Sequence, residues 1–170
     1  KSIANLFQGN ATPPPATPPK NAKPLATPSF APKSSQLDFT DFECKLLREI
    51  KDPQKSMTSA ERLVTLIRSV DYIVANKIPG RFVECGVYKG GSMMAAALTL
   101  LKHGDTSREL YLFDTFEGMP LPGVHDKKFD GSDALDTFKA KQDAANASDW
   151  CRGTLEEVKE NLYSTGYPKD

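Results

Sequence analysis

The chain has 170 residues, room for about one domain, and 39% apolar residues, a modest share that implies part of it does not build a core. Charge is balanced at 22 basic against 22 acidic side chains. Lys1, Lys20, Lys23 and Lys33 are the only charged residues of 1–35, so the remainder carries net −4 and no nucleic-acid footprint is present. No run approaches the ~18 apolar residues of a membrane span and no leader pattern is seen, while three scattered cysteines, Cys44, Cys85 and Cys151, disfavour a zinc site or disulfide framework and suit a reducing cytoplasm.

Residues 1–36 read as a disordered Pro/Ala/Thr-rich linker. Eight of the thirteen prolines fall in 9–35 without apolar neighbours to offset the entropy of ordering, and a linker here implies an upstream domain or partner. Residues 37–56 read as an amphipathic helix and its connection: Phe39, Phe42, Leu46, Leu47 and Ile50 recur at helical spacing, with Asp38 as cap and Pro53 past the end. That helix packs on the domain or on a second chain, which leaves room for a homo-oligomer. Residues 57–170 read as the N-terminal portion of an α/β domain. Thr58-x-x-Glu61 is a capping box, and Leu63, Val64, Ile67, Val70 and Val74 then mark one buried helix face.

The stretch 82–92 is the organising unit. Phe82 and Val83 read as the end of a buried strand, Gly86, Gly90 and Gly91 as a loop, and Ser92 as the start of an alanine-rich helix. Glycines let backbone N–H groups approach a ligand, and the helix N-terminus adds partial positive charge; a plain turn is the alternative. Glu84 sits at the strand tip, where an unpartnered carboxylate is desolvated at a cost. Cys85 reads as a small buried apolar residue rather than a nucleophile. A dinucleotide fingerprint needs glycine where Tyr88 stands, and a phosphate P-loop needs a lysine that Gly90-Gly91-Ser92 lacks. Asp114 ends the strand 109–114, 23 residues beyond Gly91, close to the spacing at which an acid meets ribose hydroxyls. A ribose-binding acid with a glycine loop, and no diphosphate site, points to S-adenosyl-L-methionine.

Beyond Asp114, Thr115 and Phe116 lead into Glu117-Gly118-Met119-Pro120, a run with no place in a generic crossover, where Phe116 can be plain core. The polar stretch 121–132 is long enough for a lid or substrate loop. It holds His125, a candidate general base by imidazole chemistry or else a surface residue; His103 reads as surface. Asp133 to Ala147 reads as a solvated helix. Trp150 either stacks on an adenine or plugs a helix–sheet junction, and Thr154-x-x-Glu157 caps a last helix that stops at Gly166.

Four strings, MTSAERL (57–63), IPGRFVECGVYKGGS (78–92), RELYLFDTFEGMP (108–120) and RGTLEEVKENLYSTGYP (152–168), resemble the macrocin O-methyltransferase (TylF-type) family. The resemblance implies a Rossmann-like class I methyltransferase fold with a doubly wound sheet of about seven strands, of which this chain holds the first strands and helices. It implies transfer of a methyl group from S-adenosyl-L-methionine to a hydroxyl of a small molecule, a sugar or natural product. It further implies Mg2+, with ligand aspartates beyond Asp170. Two strands joined by one helix bury little, so the isolated fragment is expected to be weakly stable and, without the metal site, inactive. By the resemblance Met57 and Thr58 lie near the cofactor's methionine end, although Thr58 can equally be a simple cap. Glu84, Cys85, Gly86, Gly90, Gly91, Ser92, Asp114, Thr115, Phe116 and Trp150 complete the cradle, and the run from Thr115 to Pro120 lines the cofactor and substrate mouth. A non-catalytic Rossmann-like interaction module on a proline-rich tether is the competing reading; nucleic-acid and membrane partners are not expected.

Overall fold

The computed structural model describes residues 38–144 and 147–169; the linker expected over 1–36 lies outside the described residues. Helix α1 (Asp41–Lys51) and helix α2 (Ala60–Ala75) precede strand β1 (Phe82–Cys85), helix α3 (Gly91–Lys102) and strand β2 (Leu110–Phe113). Helix α4 (Ala134–Ala140), the short strands β3 (Gln142–Ala144) and β4 (Ala147–Ser148), and helix α5 (Leu155–Tyr163) follow. Strands β1 and β2 pair in parallel, with Phe82 beside Leu110 and Glu84 beside Leu112, so β1–α3–β2 is a crossover unit of the doubly wound kind. No helix among the described residues is long and apolar enough to cross a membrane.

Helix α3 is the centre of the core. Met93, Met94, Ala95, Ala96, Ala97 and Leu100 are all buried, and the alanines let neighbouring elements approach closely. Apolar residues nearly all round mark an interior helix. One cluster joins it to Leu46, Leu47 and Ile50 of α1 and to Leu63, Val64 and Ile67 of α2. A second joins it to Val70, Leu110, Leu162 and Tyr167, and the Tyr167 hydroxyl donates to the Arg108 carbonyl at 2.8 Å. The amphipathic α1 thus packs on its own domain. Its charged residue Glu43 is 3% exposed and meets Arg68 of α2 at 2.7 Å. Burial pushes this carboxyl up, but the bonds from Arg68 and Thr40 outweigh burial and hold it below the usual range.

Local caps differ from the sequence expectations. Thr40, not Asp38, caps α1, and its hydroxyl and Glu43 form a reciprocal capping box. Ser59, not Thr58, caps α2. The Thr58 N–H is taken by Ser56 Oγ at 3.0 Å, which leaves the next residue to receive the helix. The helix expected from Asp133 to Ala147 stops at Ala140, because the segment turns into the antiparallel β3–β4 pair. Thr154 caps α5 as expected, through the Glu157 N–H.

The sheet corrects a further expectation. Phe82 and Glu84 share the face covered by α2 and α3, whereas Val83 and Cys85 point to the opposite face with Tyr111 and Phe113. Side chains alternate along a strand, so covering one face leaves the other bare. Val83 is therefore 62% exposed, and Cys85, read from sequence as buried, is exposed.

Candidate active site

Three chain segments meet above the C-terminal ends of β1 and β2. Gly86 and Gly90 adopt left-handed φ of 84° and 85°, and between them Tyr88 does so with a side chain, at 52°. A left-handed non-glycine residue is costly unless its surroundings hold it there. Asp114 supplies that hold. Its Oδ2 accepts the Val87 N–H at 2.6 Å and the Tyr88 N–H at 3.3 Å, and its Oδ1 accepts the Phe116 N–H at 3.0 Å. Burial raises the Asp114 pKa, yet the backbone donors outweigh it and keep the carboxyl below its ordinary value. Asp114 is thus an ionised anchor for both the glycine loop and the Phe116 turn, a role beyond the ribose contact that its spacing suggested.

Glu84 contrasts with it. Its Oε2 is buried and has no hydrogen-bond partner among the described residues. Desolvation pushes its pKa up to about 7; the Ser92 hydroxyl opposes that shift and the Asp114 charge reinforces it. A cavity of about 170 Å3 opens beside Glu84 and Ser92, with apolar walls from Leu66, Phe82, Met93 and Ala96. Helix α3 starts just above. Gly90 provides no side-chain cap, so the positive end of the helix is left to other partners.

Two glycines outside the expected cradle residues, Gly118 and Gly153, hold the segments together. A Cβ on Gly153 would overlap the Tyr88 carbonyl, lying 2.5 Å from its carbon and 3.0 Å from the Lys89 nitrogen. A Cβ on Gly118 would lie 2.7 Å from the Ser148 carbonyl oxygen. Both are close backbone approaches, for which only the unexplained glycine in RGT and FEGMP was a sequence signal. The Met119 N–H also donates to the Trp150 carbonyl at 3.0 Å. Helix α5 grips the loop from outside, through Lys89 to Glu157 at 2.9 Å and Asn161 to the Lys89 carbonyl at 3.0 Å.

The connection before α2 closes the other side. The Gly91 N–H donates to the Lys55 carbonyl at 3.1 Å, and Gly91 has no room for a Cβ, which would sit 2.7 Å from Ser56 Cβ. Met57 is 61% exposed, with its sulfur 3.8 Å from Cys151 Sγ. Thr58 is half-buried beside it, Thr115 is exposed, and Phe116, at φ 59°, and Trp150 are half-buried. The expected cradle residues are therefore gathered at one end of the crossover unit. His125 is exposed in the 121–132 loop, and no hydrogen bond or ion pair among the described residues ties it to Glu84, Ser92 or Asp114. His103 lies at the far end of α3, 2.6 Å from Asp71. Among the described residues no group of three or more His, Cys, Asp or Glu side chains could hold a metal ion, so these residues do not fit Mg2+.

A sequence model of the Macrocin-O-methyltransferase (TylF) family matches residues 37–161. The chain belongs to that family. Within 69 residues it is 41% identical to the 8-demethyl-8-(2,3-dimethoxy-alpha-L-rhamnosyl)-tetracenomycin-C 4'-O-methyltransferase of Streptomyces olivaceus, over 41% of this chain and 26% of that protein. Within 68 residues it is 31% identical to the demethyldecarbamoylnovobiocin O-methyltransferase of Streptomyces niveus, over 40% of this chain and 26% of that protein. The O-methyltransferase NovP shares the fold, with a TM-score of 0.51 and 23% identity over 68% of this chain and 44% of the NovP chain. The matched stretch of the chain thus spans about a quarter of the length of each of these curated relatives.

Proposed function

We propose that the complete protein is an S-adenosyl-L-methionine-dependent O-methyltransferase acting on a hydroxyl of a small molecule of sugar or natural-product type. Membership of the TylF family implies the methyl donor, and the two curated relatives are named as a rhamnosyl-tetracenomycin-C 4'-O-methyltransferase and a demethyldecarbamoylnovobiocin O-methyltransferase. The observation that carries the reading within this chain is the orphaned Glu84 Oε2. A buried carboxylate oxygen without a partner is rare in a native protein, and here it lies at the strand tip under a left-handed glycine loop.

In this reading Glu84 receives the cationic amino group of the donor, and the loop at Gly86, Gly90, Gly91 and Ser92 presents its backbone toward the same end. Asp114, Thr115 and Phe116 face the ribose side; Cys85, Met57, Thr58 and Trp150 bound the remainder. The bound donor supplies an already activated methyl sulfonium. The chain's own task is to align the acceptor oxygen with that group and to exclude water. His125 is the candidate base for the acceptor proton; His125→Ala tests it, since a general base contributes about 10²-fold or more to kcat.

The reading is tested by calorimetric titration of S-adenosylhomocysteine into the complete protein. Binding is expected, and Asp114→Ala is expected to weaken it at least about tenfold, equivalent to ~1.4 kcal/mol. Unchanged affinity in that variant refutes the role of Asp114. No binding by folded wild-type protein overturns the enzyme reading and favours an interaction module.

A further inference from the structure

Lys51 is a basic residue in the last turn of α1, where a solvated side chain facing the helix dipole is the ordinary expectation. Its ammonium instead donates to two carbonyls of the next segment, Ser56 at 3.2 Å and Thr58 at 2.6 Å. These are the two residues that flank Met57. The segment is fixed from below as well, by the Gly91 N–H on the Lys55 carbonyl and by the contact that leaves no room for a Cβ on Gly91. Between these two held neighbours Met57 is 61% exposed, and its sulfur lies 3.8 Å from Cys151 Sγ at the turn before α5.

We propose that Lys51 is a positioning residue of the cofactor site: by gripping the carbonyls on both sides of Met57 it holds that thioether as an apolar wall across the mouth of the cradle. The inference rests on the cofactor reading above. Among the described residues no ion pair or hydrogen bond ties Lys51 to the loop or to Glu84, so in this proposal it acts through Met57. An exposed methionine is flexible, with three rotatable side-chain bonds, so the fixed backbone sets where its thioether can reach and the Cys151 contact sets one of its positions. Lysine suits the task because a single ammonium has three donors to divide between two carbonyls.

The test is a double-substitution cycle in the complete protein, read as the Kd for S-adenosylhomocysteine. Lys51→Met is expected to weaken binding about tenfold and Lys51→Arg to restore part of it. Met57→Ala is expected to weaken binding by a similar factor, and adding Lys51→Met to it is expected to change nothing further, because two groups acting through one contact are not additive. Additive losses would assign Lys51 a purely structural role and overturn the proposal, as would an unchanged Kd in Lys51→Met. Wild-type protein that folds but does not bind would overturn the cofactor reading and this inference with it, an outcome distinguishable because it precedes any substitution.

Discussion

Glu84→Gln is expected to stabilise the protein above pH 7 while weakening its hold on the cofactor. In the folded protein Glu84 titrates near 7, against an ordinary value of 4.5, because burial disfavours its charge. Between those values the folded state binds more protons than the unfolded state, so stability falls as pH rises from 4.5 through 7 and then levels off. The shift corresponds to at most about 3 kcal/mol, and to less after solvent screening of a half-buried side chain. Glutamine removes the titration. Melting curves from pH 5 to 8 should therefore slope downward in the wild type and lose most of that slope in Glu84→Gln. Cofactor affinity should behave oppositely: a cationic amino group favours the ionised carboxylate, so wild-type affinity rises as pH passes 7, and the variant is weaker and flat. A less stable Glu84→Gln at pH 8 without ligand would mean that Glu84 has a structural partner, and would remove the argument for a ligand there.

Gly153→Ala is expected to disable the same site by another route. Gly153 is not left-handed, so alanine brings no backbone penalty there; the effect is a steric overlap with the Tyr88 carbonyl and the Lys89 nitrogen. Overpacking of this kind costs roughly 1–3 kcal/mol, and the neighbour here is backbone rather than a side chain that could turn aside. The loop must move, and Tyr88 already sits at a φ that only its surroundings maintain. We expect a lowered melting temperature and a loss of S-adenosylhomocysteine affinity of more than about tenfold (~1.4 kcal/mol). Gly123→Ala is the control, since its Cβ would meet only Asp126 Oδ2 at an ordinary 3.6 Å. A Gly153→Ala protein that melts and binds like the wild type would show that the close approach is dispensable.

These residues also mark how far the sequence could be read. Strands 82–85 and 110–113, the helix between them and the glycine loop were legible because each is a local pattern: apolar runs, glycines, then a run of helix formers. The placement of Asp114 and Glu84 at strand tips followed from the same patterns, as did the capped start of α5. Capping at Ser59 rather than Thr58 was not legible, since several adjacent side chains could serve and Ser56 claims the Thr58 N–H. The end of α4 was not legible either: an Ala-, Asp- and Lys-rich stretch has helical propensity throughout, and only the β3–β4 pairing ends it.

By itself the sequence determined the family and the crossover unit, because these depend on residues near one another along the chain. Tertiary structure alone decided which glycines had to be glycine for lack of room, that Asp114 anchors the loop, and that Lys51 reaches across to the residues flanking Met57. Those facts depend on segments far apart in sequence coming within a van der Waals contact, such as Gly153 against Tyr88, and no local propensity encodes such a distance.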